Sequence, residues 1–195
     1  MHQTRIRRAY YRIFRVANTP DLGDRPQDAV AVFNAARARN VDDTVLHQFR
    51  YIAAFLQNDQ HAMQEQMSWA VGKHGEYMLL NQQADTEAYH GRFERARTLS
   101  EQALYSARHD GALEVGAWFT AWDAVREAEV GDLAGSKKMA ARALRMLPKA
   151  DVTGGFWLMP TALAFARSGG SSLYANTLVA SRTQNFASRH YAAEL

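Results

Sequence analysis

The feature that most constrains this chain is a series of turn-forming residues at nearly regular intervals. They follow one another at spacings of 35, 33, 40 and 38 residues, and they are Gly23, Asn58, Gly91, Gly131 and Gly169. Glycine and asparagine tolerate the left-handed backbone that ends a helix, so they suit a tight turn between two antiparallel helices. Such a period predicts a chain built from repeated helix–turn–helix units.

The sequence on either side of these turns has the period of an α-helix. In the fourth unit, alanines fall on one helix face and tryptophans on an adjacent one: Ala117, Ala121, Ala124, Trp118 and Trp122. No segment shows the alternation of a strand, so the sequence predicts an all-α fold of about five helix pairs. The chain is predicted to form one repeat domain over 1–195, with units at about 5–40, 43–72, 76–109, 112–148 and 151–182, and a cap or tail at 183–195.

Small residues recur two helical turns apart after these breaks. Ala96 and Ala103 form one such pair, and Ala134 and Ala141 form another. Packed helices lie about 8–10 Å apart, and a large side chain at the crossing point would hold them further apart. We therefore expect these alanines at contacts between stacked helices, where each pair covers the apolar face of the next.

Two units carry residues that make the chain resemble a tetratricopeptide-repeat solenoid. One unit has Gly91, Phe93, Ala96, Ala103 and Leu104 in the order and spacing of that family. The other has Gly131, Leu133, Ala143, Leu144 and Pro148, with Ser136 where the family prefers alanine. The resemblance implies a right-handed α-α superhelix that recognises a protein or peptide partner.

Residues 47–73 and the stretch after them also resemble the helical-repeat region of some bacterial receptor-like serine/threonine kinases and winged-helix transcription regulators. This likeness implies a regulatory or scaffolding role in bacterial signalling. The sequence has no Gly-rich phosphate loop, no His-Arg-Asp loop and no G-x-S-x-G motif, so we expect a non-catalytic module without a cofactor. The alternative is a small-molecule or nucleic-acid sensor that uses the concave groove or the N-terminal arginines.

In the repeat family the first helix of each pair lines the concave face. If that holds here, the exposed polar residues of those helices are the binding candidates. These are Gln48, Arg50, Asn81, Gln82, Asp85, Glu114, Asp123 and Arg126.

Basic residues are concentrated at the N-terminus, where the first 20 residues hold five arginines and no acid. On a helix, four of them share one face: Arg5, Arg8, Arg12 and Arg15. Such a face suits phosphate, anionic lipid or an acidic partner. The other interpretation is the first helix of unit one, with its arginines in water.

Metal and thiol chemistry find no support in the sequence. The chain has no cysteine, and none of its seven histidines lies three or four residues from another, so we expect them at the surface or at helix ends and predict no metal site. The four tryptophans and the methionines 63, 67 and 78 are expected to be packing residues.

Several predictions concern the chain as a whole. No apolar run approaches the roughly 18 residues of a membrane span, and the first residues lack a secretory apolar core, so a cytoplasmic location is expected. The helix around Pro160 is expected either to bend or to start near Met159. An uncapped solenoid end would expose apolar surface and allow a homodimer.

Overall fold

A computed structural model describes residues 26–146, 158–170 and 172. Within these ranges the chain is entirely helical, which confirms the all-α prediction for this part of the protein. The helices are α1 Pro26–Arg37, α2 Thr44–Leu56, α3 Gln60–Ala70, α4 Glu76–Tyr89, α5 Phe93–His109, α6 Leu113–Glu129, α7 Leu133–Met146 and α8 Leu158–Arg167.

The predicted turns share one backbone geometry. Positive φ angles of 56°, 75°, 89° and 77° occur at Asn58, Gly91, Gly131 and Gly169. After each, an amide bonds to the carbonyl five residues earlier, as in Arg92 to Glu87 and Asp132 to Glu127, both at 2.9 Å. This is the Schellman ending of a helix, and it confirms these four turns. Gly23 lies outside the described residues.

Aspartates start three of the helices. Asp43 accepts the amides of Val45 and Leu46 at 3.0 and 3.1 Å at the start of α2. Asp59 and Asp132 do the same for α3 and α7 at 2.9 and 2.8 Å. Such side chains satisfy amides that have no partner within the helix. Local sequence therefore sets the start of each of these three helices.

The chain divides into two compact units, residues 1–106 and 107–195, with the boundary inside α5. The prediction of one continuous repeat domain stays a prediction. In the first unit α2 packs against α1, α3 and α4. Its buried Tyr51 donates a hydrogen bond to Thr86 of α4 at 3.2 Å. The core here includes Leu79 and Ala54, both fully buried.

In the second unit α6 packs against α7 and α8, and α7 packs against α8. Their shared core contains small side chains and one large aromatic: Ala124, Val125, Ala140, Ala164 and Phe165. Pro160 is the third residue of α8, in its first turn, where its missing amide is no loss. The interpretation that the helix starts near Met159 is therefore the correct one.

The predicted small residues are partly confirmed. Four small side chains are fully buried, namely Ala96, Ala103, Ser136 and Ala143. The prediction for Ala134 is wrong, because it is exposed, and Ala141 is only half-buried. The turn sets the register: Ser136 follows Gly131 by five residues, just as Ala96 follows Gly91.

None of the helices in the described ranges is both long enough and apolar enough to cross a membrane.

Candidate functional site

Among the described residues of the second unit, the most exposed aromatic surface lies on α6, and we call it the tryptophan face: Trp118 and Trp122. Their exposed fractions are 39% and 41%, so the prediction that they are packing residues is wrong for both. Glu114, one turn before Trp118, is also exposed. The opposite side of α6 is occupied by the alanine-rich core, which turns the two indoles outward. Trp69 is half-buried, and Trp157 lies outside the described residues.

Two predicted binding residues of α6 instead pair with each other. Asp123 is buried, and its Oδ1 accepts a hydrogen bond from Nη2 of Arg126 at 2.5 Å. The expectation that Asp123 is exposed is therefore wrong, since α6 is covered on this side. Arg126 is mostly buried and is committed to this ion pair. Of the three candidates on α6, Glu114 alone is exposed.

The candidates on α4 lie on the outer side of that helix. Asp85 is exposed, while Asn81 and Gln82 are half-buried. Asn81 donates from Nδ2 to Oδ2 of Asp85 at 3.4 Å, one turn apart. The structure therefore brings Asn81 and Asp85 together as a polar patch.

The candidates on α2 are less accessible. Gln48 is half-buried, and Arg50 keeps 14% of its side chain exposed. Nη2 of Arg50 lies 3.9 Å from Oδ2 of Asp59. Its buried Nη1 has no hydrogen-bond partner among the described residues. The charge of Arg50 is therefore directed at Asp59, at the N-terminus of α3, and little of it is exposed to a ligand.

A buried histidine cluster was missed by sequence reasoning. The histidines were expected at the surface or at helix ends; His47 lies in the first turn of α2 but is only 2% exposed, so a surface position is wrong for it. Its Nδ1 lies 2.7 Å from Oε1 of Gln66, and its Nε2 lies 2.7 Å from Oδ1 of Asp42. Its ring stacks on Trp69 at 3.5 Å between centroids, with 9° between the planes. Phe33 meets it edge-on at 5.1 Å.

Oxygen atoms lie on both sides of the His47 ring. Nε2 of Gln66 donates to the carbonyl of Ala62 at 3.0 Å, so the amide oxygen points at His47. Asp42 offers a carboxylate oxygen on the other side. Each ring nitrogen therefore lies within hydrogen-bonding distance of an oxygen from another part of the chain. With both nitrogens engaged and the ring buried, His47 is a structural link between α2 and α3.

Asp42 completes the cluster. Its second carboxylate oxygen accepts a hydrogen bond from Nε1 of Trp69 at 3.1 Å. Burial raises the pKa of Asp42, but the hydrogen bond and charge of His47, with the Trp69 bond, outweigh it, so the pKa lies below its usual value. Lys73 stands 3.6 Å from the centre of the Trp69 ring, a cation–π contact.

Glu87, at the end of α4, is the second buried charge of the first unit. Its carboxylate pairs with Nε of Arg92, and Arg95 lies 3.7 Å away. The hydrogen bond from Arg92 lowers the pKa of Glu87, burial opposes this, and the charges of Arg92, Arg95 and His90 add to the lowering. The pair ties α4 to the start of α5.

The first unit also has an open groove of about 780 Å³ between α4 and α5. Its lining is polar and aromatic, with two carboxylates: Glu76, Leu80, Thr98, Glu101, Gln102, Tyr105 and Ser106. Tyr105 is 76% exposed. Thr98 donates its hydroxyl to the carbonyl of Glu94 at 3.1 Å, which leaves its oxygen as an acceptor. The groove therefore offers mainly hydrogen-bond acceptors to a ligand.

A second surface missed by sequence reasoning is the exposed side of α7. The signal was present, because residues 133–150 hold five basic residues and no acid. The average charge of the chain after its first 20 residues concealed this run.

The N-terminal arginine candidates, Arg5, Arg8, Arg12 and Arg15, lie outside the described residues. No group of three or more His, Asp or Glu side chains suited to a metal ion occurs in the parts of the chain that the structure covers.

Comparison with known proteins does not supply a family. A scan against protein-family models found no match, and searches of curated proteins and of solved structures found no match either.

Proposed function

We propose that the chain is a right-handed, tetratricopeptide-like solenoid. The support is a register of small buried residues that recurs after several of the described turns. The fifth residue after Gly91 or Gly131 is a fully buried small side chain, Ala96 or Ser136. The twelfth residue after each of three turns is a fully buried alanine, at Ala70, Ala103 and Ala143. A position that must be small in every unit is what close stacking of helix pairs requires.

The function we propose is non-catalytic recognition of a protein or peptide, in a regulatory or scaffolding role in bacterial signalling. The observation that carries the recognition role is the tryptophan face of α6. Two indoles four residues apart, each about 40% exposed, keep a large apolar area in water. Exposed aromatic patches with polar neighbours are typical of interaction sites, and tryptophan is among the residues enriched at binding hot spots. Glu114 is the polar neighbour in the preceding turn.

A binding experiment tests this role. The full chain is used as bait in lysate of the source cells, and captured proteins are identified and then titrated by calorimetry. We expect Trp118→Ala/Trp122→Ala to weaken the partner's affinity at least tenfold, in the range of a hot spot of about 2 kcal/mol. Tyr105→Ala is the matched control, because it removes an exposed aromatic from the other unit and should leave the affinity unchanged. A partner held equally by all three proteins would contradict the proposal.

The groove between α4 and α5 favours a second candidate, a small-molecule sensor. Its volume of about 780 Å³ falls within the usual range of ligand sites. Because the groove offers mainly acceptors, the ligand would be a hydrogen-bond donor or a cation. A metabolite screen by thermal shift tests it, with Glu101→Gln as the groove variant and Glu94→Gln as the control. No ligand-dependent shift, or the same shift in both variants, would rule out this candidate. The nucleic-acid alternative rests on Arg5, Arg8, Arg12 and Arg15.

A further inference from the structure

Helix α7 presents a purely basic surface, which we call the basic face: Lys137, Lys138, Arg142 and Arg145. Between Leu133 and Met146 the helix has no acidic residue. Lys137, Lys138 and Arg145 are exposed, and Arg142 is half-buried. From Lys137 to Arg145 the face extends about 12 Å along the helix.

The orientation of this face is fixed by the core. Ser136, Ala140 and Ala143 lie on the other side of α7 and are fully buried. They face α6 and α8, against which α7 packs. The basic face therefore cannot rotate inward without exposing the core of the second unit.

Basic residues elsewhere in the described chain are mostly paired with carboxylates. Ion pairs join Arg97 to Glu94, Arg126 to Asp123 and Arg167 to Glu129, and Arg92 and Arg95 share Glu87. By contrast, Lys137, Lys138 and Arg145 form no ion pair with any residue that the structure describes.

The chain has 20 acidic residues, so composition does not force this arrangement. Lys137, Lys138 and Arg145 are exposed on one side of α7, with no acidic residue between Leu133 and Met146. An acidic partner would supply the opposite charge that the helix itself lacks.

The remaining segments of the chain do not have the charge to be that partner. Residues 1–25 hold six arginines and two aspartates, and residues 171–195 hold two arginines and one glutamate. Residues 147–157 hold one lysine and one aspartate. A second copy that met this face with its own basic face would be repelled. None of these segments, and not the basic face of a second copy, supplies an acidic occupant, and we assign the occupant to a different protein.

Other anionic surfaces fit less well. Membrane insertion needs a broad exposed apolar side, and the exposed apolar residues of α7 are Leu133 and Ala134 at its N-terminal end alone. Single-stranded nucleic acid is held by aromatic stacking, and α7 has no aromatic residue. Duplex DNA is separated from an acidic peptide by the test below.

We propose that the basic face of α7 docks an acidic segment of a partner protein. The surface goes beyond the proposed function, because it lies on α7, apart from the tryptophan face of α6. Either surface can therefore fail its test without the other.

The test uses the full chain and a fluorescein-labelled amphipathic peptide of about 20 residues, long enough to be helical, with glutamates on its polar side. A matched peptide has glutamine at every glutamate. Fluorescence anisotropy at several salt concentrations gives the affinities. We expect the glutamate peptide to bind at least tenfold more tightly than the glutamine peptide, with an affinity that falls as salt rises.

The variant Lys137→Glu/Arg145→Glu should lose at least tenfold in affinity. The matched control is Arg39→Glu/Arg108→Glu, two exposed arginines off α7, which changes the net charge by the same four units and should lose less than threefold. Melting curves check the folding of each variant, and Lys137→Gln/Lys138→Gln provides a milder change, with an expected loss of at least threefold, in case the charge reversal unfolds α7.

Three results would overturn the proposal. The wild type could bind both peptides equally. The two charge-reversal variants could lose affinity equally, which would show that net charge alone acts. A short DNA duplex could bind more tightly than the glutamate peptide and depend on Lys137 and Arg145, which would assign the face to nucleic acid.

Discussion

Replacing His47 by alanine probes the most connected side chain of the first unit. The imidazole ring of His47 hydrogen-bonds to Gln66 and Asp42, stacks on Trp69 and meets the edge of Phe33. These partners come from α1, α3 and the segment before α2, so the substitution loosens three packing contacts at once. We expect a large loss of stability.

The magnitude follows from what is left behind. A hydrogen bond to a charged group contributes about 1.5–3 kcal/mol, and an unsatisfied buried acceptor such as Oε1 of Gln66 costs about 1–3 kcal/mol. Each aromatic pair adds about 0.5–1.5 kcal/mol. These terms overlap, since they share one ring, so we expect His47→Ala to lower the free energy of unfolding by about 3–4 kcal/mol.

Urea unfolding followed by circular dichroism measures the change, and hydrogen exchange of the α2 and α3 amides locates it in the first unit. His61→Ala is the matched control, because His61 is exposed and only 3.7 Å from Glu65, an interaction that contributes little at a surface. We expect less than about 0.5 kcal/mol there. Equal midpoints for His47→Ala and the wild type would refute the cluster as a structural link.

Three further substitutions test the register, the turns and the buried charge. Ala96→Arg should destabilise the fold by several kcal/mol, because Ala96 is fully buried. Ala134→Arg, on the exposed side of α7, should leave the melting temperature unchanged. Equal melting temperatures for the two variants would show that the predicted register is wrong. Gly91→Ala should lower the free energy of unfolding by about 1 kcal/mol because of the φ of 75° alone, since the added Cβ meets no atom within 4 Å. Gly91→Asn should lower it less, because asparagine tolerates that backbone. Equal losses for the two variants in urea unfolding would contradict the assigned turn. The lowered pKa of Glu87 means that its ion pair stabilises the fold above the ordinary value of 4.5 and that this stability is lost as pH falls through the folded pKa. The slope of stability between about pH 5 and 2 should therefore be shallower in Glu87→Gln, and an unchanged slope would contradict it.

Sequence reasoning placed those features that depend on a few neighbouring residues. Gly91 and Gly131 were recognised as turns because the backbone they adopt excludes most other side chains. Ala96 and Ala103 follow from the same turn, since the helix that starts there fixes which residues face the neighbouring helix. Ala134 was misplaced because one turn offers two small residues, and periodicity alone does not choose between Ala134 and Ser136.

Burial of polar groups was not predictable in the same way. Nothing in the sequence next to His47 or Asp123 distinguishes them from exposed polar residues, yet both are buried. Their partners are Gln66, 19 residues from His47, and Arg126, which a reader of the sequence would place in water. Whether each of these side chains is buried depends on which helices from other parts of the chain pack against it.

The tryptophan face shows why a pattern that predicts a fold does not also predict a binding surface. The apolar residues of α6 are spread around most of the helix, and α7 and α8 cover the alanine-rich part of it. Close packing selects small side chains such as Ala124 for the covered part, because helices that approach closely leave no room for an indole. Trp118 and Trp122 are then left on the part of α6 that these two helices do not cover. The requirement for small residues at close helix contacts therefore leaves the two indoles exposed, on the surface that we propose for recognition.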